Sequence, residues 1–352
     1  MEKKIKYIIA SLFCVMLFAA CDDFLDTDNL TMKDTSNFPL NETDAYQMVN
    51  GIYAVMNRNL ADPEEDPFFI FDIASDDRLG GGSQSNIGAQ GVDRLMNAYV
   101  DWMKPLWQQR YAGINRANNA LESIDNVTNW TSETTKKQYL CEIYFLRAWY
   151  YFNLAQVFNG VPLVLSTVPQ NLPRSTADEV YAQIASDLKN AIEIGPSTKY
   201  PDFGEGRVSK WAAEGMMARV WLFYTGFYGN GTSTAELSNT TYSPLQSVDL
   251  PDGSTMTKQD VITAIDDCVN NSGYSLVDDF RNLWAYTNRL TVEDNPYTKG
   301  QGLKWVEDDV NNGPNTNPES MFAIKFNKWA SWSTTIGYGN GIALHFGVRD
   351  AT

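Results

Sequence analysis

The sequence predicts a mainly α-helical protein, built of irregular tetratricopeptide-like helical hairpins with long aromatic-rich loops and little β-structure. Three observations predict it. Apolar residues recur every three or four positions through much of residues 41–275. Ser, Thr and Asn residues stand ahead of those stripes where helix caps belong. The aromatic share is high, with 10 Trp, 18 Tyr and 17 Phe, and part of it lies in Gly-, Pro- and Asn-rich stretches without stripes.

The chain has 352 residues and opens on an export signal. Lys3, Lys4 and Lys6 make a basic start, and the apolar run from Ile8 to Ala20 stops at Cys21. That run is shorter than the ~20 apolar residues of a spanning helix. The ending Leu17-Phe18-Ala19-Ala20-Cys21 resembles a lipobox, in which a small residue precedes a cysteine that takes lipid. Cys21 is therefore the expected lipidation site; the plainer alternative is an ordinary signal peptide with Cys21 as a bystander. Acyl chains contribute ~0.8 kcal/mol per buried CH₂, enough for a stable anchor when several are attached. Residues 1–20 read as the signal peptide, 21–40 as a polar lipidated tether and 41–352 as the folded domain.

Asn41 is placed to cap a first helix through Ala45, Met48, Val49, Ile52, Tyr53 and Met56. An acidic, Pro-bounded loop (Asp62 to Pro67) and an apolar run (Phe68 to Ile73) follow. Asp76 to Gly91 is polar and glycine-rich and reads as a surface loop. Helical spacing returns from Asp93 to Asn126, with Pro105 as a kink or boundary. Thr134 to Phe158 is a further helix, striped by Ile143, Leu146, Tyr150, Leu154 and Phe158. Thr176 with Glu179 forms a capping box before Val180, Ile184, Leu188 and Ile192. Ser209 caps a helix through Met216, Val220 and Phe223, and Thr257 with Asp260 opens one through Val261, Ile265 and Cys268. Periodicity fades over residues 228–256 and again after 280, while Met321 to Phe326 alternates like a short strand.

Composition narrows the functional classes. A net charge of −16 repels phosphate backbones, which argues against nucleic acid as a partner; its plainest meaning is solubility. One histidine, His345, rules out most imidazole metal sites and His-based catalysis. Cys141 and Cys268 read as buried free thiols. Gly80-Gly81-Gly82-Ser83 lacks the lysine of a phosphate loop. Asp76/Asp77 and Asp308/Asp309 are adjacent pairs, poorly placed to hold carboxyls ~5–9.5 Å apart across a sugar. The Asn311, Asn312, Asn315 and Asn317 cluster near Asp308 and Asp309 offers oxygen ligands to a calcium ion as the minor alternative, but it is no EF-hand loop. No enzyme, metal or cofactor is expected.

Several segments, in order, resemble the SusD/RagB-like family of Bacteroidetes outer-membrane nutrient-binding lipoproteins. They are Cys21-Asp22-Asp23-Phe24-Leu25-Asp26, then Trp107 to Asn118, then Glu142 to Val164 with Phe145-Leu146-Arg147-Ala148 and Phe158-Asn159-Gly160-Val161-Pro162. Gly206-Arg207-Val208-Ser209-Lys210 and Glu319-Ser320-Met321-Phe322-Ala323-Ile324 complete the set. The resemblance implies a cell-surface lipoprotein that captures an oligosaccharide, or in fewer cases a peptide. It implies delivery of that ligand to a SusC-like TonB-dependent transporter in the outer membrane. Acidic residues after Cys21 resemble the family's signal for surface display. Family members also continue past this pattern, so the domain is expected to be C-terminally truncated here. Arg147 is read as structural, tying neighbouring helices together.

Sugar rings lay their C–H faces on indole and phenol rings while polar groups take the hydroxyls. The candidates are loop residues: Asp77, Arg78, Trp284, Tyr286, Tyr297, Trp305, Trp329 and Trp332. Any single Trp among them has core packing as its plainer alternative. The competing function is a structural surface lipoprotein that stabilises the transporter without binding ligand.

Overall fold

A computed structural model describes residues 38–58, 67–75, 77, 87–94, 103–200, 202, 206–227, 244–307 and 317–324. Eight α-helices occur among them: α1 (Glu42–Arg58), α2 (Pro67–Ile73), α3 (Ile87–Asp93), α4 (Met103–Ser123), α5 (Glu133–Phe158), α6 (Ala177–Ile194), α7 (Lys210–Phe227) and α8 (Lys258–Asn271). The long helices α4 to α8 each pack on the next, and α1 lies against α4 and α5. The expected helical hairpins are present.

The helices start where cap chemistry allows. Asn41 Oδ1 accepts from Asp44 N at 3.0 Å and Ser209 Oγ from Ala212 N at 3.1 Å. Ser132 does the same for α5, accepting from Thr135 N at 3.1 Å. Both expected capping boxes form: Thr176 with Glu179 and Thr257 with Asp260 each satisfy backbone N–H groups reciprocally. Pro105 sits in the first turn of α4, where a missing N–H costs nothing, so it marks a boundary.

The end of α5 is built from the Asn159-Gly160 pair. Asn159 adopts a left-handed φ of 65°, and a β-carbon on Gly160 would stand 2.1 Å from Ser175 O. Arg174 then donates to the Gly160 and Phe158 carbonyls, both at 2.7 Å, closing the helix end.

The core is mostly aliphatic and aromatic, and buried polar networks cross it, two of them centred on Arg147 and Arg207. In the first, Arg147 of α5 forms a bidentate pair with the fully buried Asp187 of α6, at 2.8 and 2.6 Å. Its third donor reaches Asn118 Oδ1 of α4 at 2.9 Å, and Gln183 donates to Asp187 at 3.0 Å. Arg147 thus joins three helices, as a structural residue. In the second, Arg207 pairs with buried Glu142 at 2.9 Å and donates to Asn50 Oδ1 at 2.7 Å. Its guanidinium lies 5.2–5.5 Å from the ring centroids of Tyr46, Tyr53 and Tyr139.

Several local expectations are corrected. The supposed loop from Asp76 to Gly91 ends in a helix, α3, which packs on α2 despite its two glycines. The apolar run from Phe68 to Ile73, whose element type its pattern left open, is helical. The helix expected from Asp93 is described from Met103 on, and Asp93 itself ends α3, with Arg94 in a turn. Residues 247–257 hold the two strands seen among the described residues, β1 (Ser247–Asp249) and β2 (Thr255–Thr257), paired antiparallel. Val248 faces Met256 and both enter the core, while Gly253 supplies the left-handed turn at φ 82°. Of the strand expected over Met321 to Phe326, the described part, Met321 to Ile324, is bend and coil, with no strand paired to it among the described residues. Instead Met321 lies on Gly215 and the Phe322 ring packs 5.4 Å from Phe145. Cys141 is buried, but Cys268 is only half-buried. No described helix is long and apolar enough to cross a membrane.

Candidate functional site

The helical tryptophans are engaged in packing. Trp107 meets Phe158 edge to face at 5.1 Å, Trp149 lies under Arg110 at 4.8 Å, and buried Trp211 donates to Thr198 O at 2.8 Å. The loop aromatics behave differently. In residues 279–306 Trp284 is 51% exposed, Tyr286 43%, and Tyr297 83%, with Trp305 half-buried.

This loop is short of regular structure yet densely hydrogen-bonded. Asp279 caps a 3₁₀ turn over Phe280–Leu283 by accepting from Arg281 N at 3.0 Å, and a second turn covers Ala285–Thr287. The returning segment closes onto those turns. Trp305 N donates to Thr287 O at 3.1 Å, Val306 N to Asn282 O at 2.9 Å, and Lys304 N to Asn282 Oδ1 at 2.8 Å. Between them, Thr298 Oγ1 donates to Val292 O at 2.6 Å and Gln301 Nε2 to Tyr297 O at 2.8 Å. Backbone groups that a helix or sheet would satisfy are thus satisfied locally.

The loop is also anchored to the helical body. Ser275 N donates to Pro318 O at 3.1 Å and Val277 N to Glu319 Oε1 at 2.8 Å. Residues 321–324, which follow, pack on the core. The aromatic residues therefore stand on a fixed frame.

Charge is placed beside them. Arg281 is ion-paired with Asp279 at 2.7 Å and also hydrogen-bonds Gln301. The Arg281 guanidinium holds the Asp279 carboxyl down to about 2, so the pair is charged at neutral pH. An Asp, an Arg and an amide beside exposed rings match what sugar hydroxyls require.

Of the residues expected from sequence, the structure brings Trp284, Tyr286, Tyr297 and Trp305 into one loop module. Asp77 lies on an exposed turn after α2, with no hydrogen bond or ion pair to that module among the described residues. Arg78, Trp329, Trp332 and Cys21 fall outside the described residues. Two members of the module went unrecognised in the sequence: Phe280, 68% exposed and edge-on to Trp284 at 6.0 Å, and Arg281. The signal for both was the Asp279 cap preceding them.

Comparison with known proteins agrees with this architecture. A family model described as starch-binding and associating with the outer membrane matches residues 23–222. A SusD-like protein of Formosa agariphila, P25, is 26% identical over 230 residues, covering 62% of this chain and 43% of that protein. A SusD-like protein of Bacteroides ovatus is 23% identical over 237 residues, covering 60% and 38%. The chain thus spans under half the length of these relatives. A laminarin-binding SusD-like protein of known structure superposes with a TM-score of 0.54 at 24% identity, over 71% of this chain and 49% of that one. A structure solved with xylogluco-oligosaccharide gives 0.53 at 20% identity, over 81% and 47%. These two share the fold. The matched family is described by binding rather than catalysis, and its model takes in more than half of the residues, ending within α7; the chain belongs to the SusD-like family.

Proposed function

We propose that this protein is a cell-surface glycan-binding lipoprotein that hands an oligosaccharide to a SusC-like TonB-dependent transporter. In this reading residues 1–20 are a removed leader, Cys21 carries the lipid, 21–40 form the tether, and 41–352 form the binding domain. The observation that carries the reading is the 279–306 loop. It exposes Phe280, Trp284, Tyr286 and Tyr297 on a hydrogen-bonded frame beside the Asp279–Arg281 pair. A monomer seldom leaves so many large apolar side chains in water without a partner for them. Support also comes from relatives named for binding laminarin or solved with xylogluco-oligosaccharide.

Affinity electrophoresis of the chain through gels containing laminarin, xyloglucan or starch tests it. Retardation in at least one gel, reduced by Trp284→Ala, is the expected result. No retardation in any gel, together with co-purification on a SusC-like barrel, would overturn glycan capture and leave the transporter-stabilising role.

A further inference from the structure

The sequence holds five Asn-Gly pairs, of which Asn50-Gly51 and Asn159-Gly160 lie among the described residues. In such a pair the glycine nitrogen carries no neighbouring side chain to screen it from the asparagine amide. The fold treats the two pairs in opposite ways.

Asn50 lies inside α1, where a helical ψ turns Cβ well away from the next backbone nitrogen. Its Oδ1 is also engaged, accepting from Arg207 Nη1 at 2.7 Å. Asn159, just past the end of α5, has φ 65° and ψ −124°, a conformation that residues with a side chain rarely adopt. In an L-residue this ψ eclipses Cβ with the following nitrogen about the Cα–C bond. Asn159 Cβ and Gly160 N therefore lie on the same side, as they do in a closed five-membered ring, and rotation about Cα–Cβ brings Cγ onto the nitrogen. Arg174 holds this conformation by its bonds to the carbonyls flanking Asn159, those of Phe158 and Gly160. The Gly160 N–H donates no hydrogen bond among the described residues, so none has to break before it reacts. The Asn159 side chain is only half-buried, which leaves it open to water.

We propose that Asn159 is a self-modification site, converted through a succinimide to aspartate and isoaspartate with water as co-reactant. The Gly160 nitrogen gives its proton to water and attacks Asn159 Cγ. The N–Cγ bond forms, the Cγ–Nδ2 bond breaks, and Nδ2 leaves as ammonia with a proton returned from water. Water then opens the ring: cleavage at Cγ gives aspartate, and cleavage at the main-chain carbonyl gives isoaspartate, which adds a methylene to the backbone. This site is independent of the glycan-binding reading, and either stands if the other fails.

Peptide mapping by mass spectrometry of the chain aged at mildly alkaline pH tests it, folded protein being compared with protein held unfolded in guanidinium chloride. At Asn159, exchange of the amide NH₂ for OH is expected to run at least about threefold faster in the folded chain, where the backbone is already set for ring closure. At Asn50 folding is expected to slow it. Isoaspartyl methyltransferase is expected to label the aged peptide containing residue 159, and Asn159→Gly, which suits the positive φ, to lose that label. Exchange at Asn159 no faster in the folded chain than in the unfolded one would overturn the proposal. So would exchange at Asn50 as fast as at Asn159 in the folded chain. Aspartate without isoaspartate would mean direct hydrolysis of the side chain, which also overturns it.

Discussion

Gly113 of α4 and the Tyr150 ring of α5 are in contact so close that a β-carbon on Gly113 would stand 2.4 Å from the ring. The Tyr150 hydroxyl then donates to Ile52 O of α1 at 2.6 Å, so the ring has no room to withdraw. Alanine is intrinsically the better helix residue by about 1 kcal/mol. Overpacking a filled core costs about 1–3 kcal/mol, and with Tyr150 held at its tip the clash wins. Gly113→Ala is expected to lower the urea midpoint. A midpoint equal to wild type or higher would contradict this.

The Arg147–Asp187 pair invites a paired experiment. Asp187→Ala leaves a guanidinium buried without its counter-ion and is expected to cost about 3–5 kcal/mol. Arg147→Met with Asp187→Leu removes both charges and is expected to recover most of that loss. Chemical denaturation of the two variants checks it; a double variant as unstable as Asp187→Ala would refute the electrostatic account.

Glu142 supplies a pH signature. Burial raises its pKa to about 7, with Arg207 and the Gln138, Tyr53 and Arg207 hydrogen bonds pulling the other way. An unfolded glutamate ionises near 4.5, so between about 4.5 and 7 the folded chain holds the extra proton. Stability contributed by this group is therefore full below pH 4.5 and declines as pH rises towards 7. Melting temperatures at pH 5 and pH 8 are expected to differ less in Glu142→Gln than in wild type. Identical pH profiles would remove Glu142 as the cause.

Much of the helical scaffold was legible because caps and stripes are local signals. Asn41, Thr176, Ser209 and Thr257 act within three residues of themselves, and each caps as expected. The hairpin at 247–257 escaped because each strand has three residues, too few for an alternation to stand out. Helix α3 escaped because its two glycines argue for loop, and packing on α2 overrides them. The role of Arg207 depends on three tyrosines from two helices, a convergence that no spacing along the chain encodes. For the candidate site, composition pointed to the 280–306 loop. Exposure then separates Trp284 and Tyr297 from half-buried Trp305, which depends on how the loop closes.

That separation yields a binding prediction. Trp284→Ala is expected to weaken glycan retention by roughly tenfold or more if the ring is a central contact, with circular dichroism unchanged. Trp107→Ala, which strips the packing against Tyr111 and Phe158, is expected to act on stability instead. A folded Trp107→Ala protein that alone loses glycan binding would displace the site from the loop.

The anchor is tested in cells. Metabolic labelling with a fatty-acid probe is expected to mark the wild-type protein and to miss Cys21→Ala. Equal labelling of both would exclude Cys21 as the acceptor.

Arg147 has a consequence for how the stack comes apart. A row of helices that touch mainly their neighbours tends to unzip one unit at a time, because each docking interface opens independently. Here any intermediate with α6 undocked strands Arg147 without its carboxylate, and one with α4 undocked takes away Asn118. Such half-open species are penalised by the very groups that are satisfied when all three helices meet. Tyr150 extends the same linkage to α1, which is not next to α5 in sequence order. The central four helices should therefore melt in a single cooperative step, with amide protons of α1, α4, α5 and α6 exchanging at one common rate.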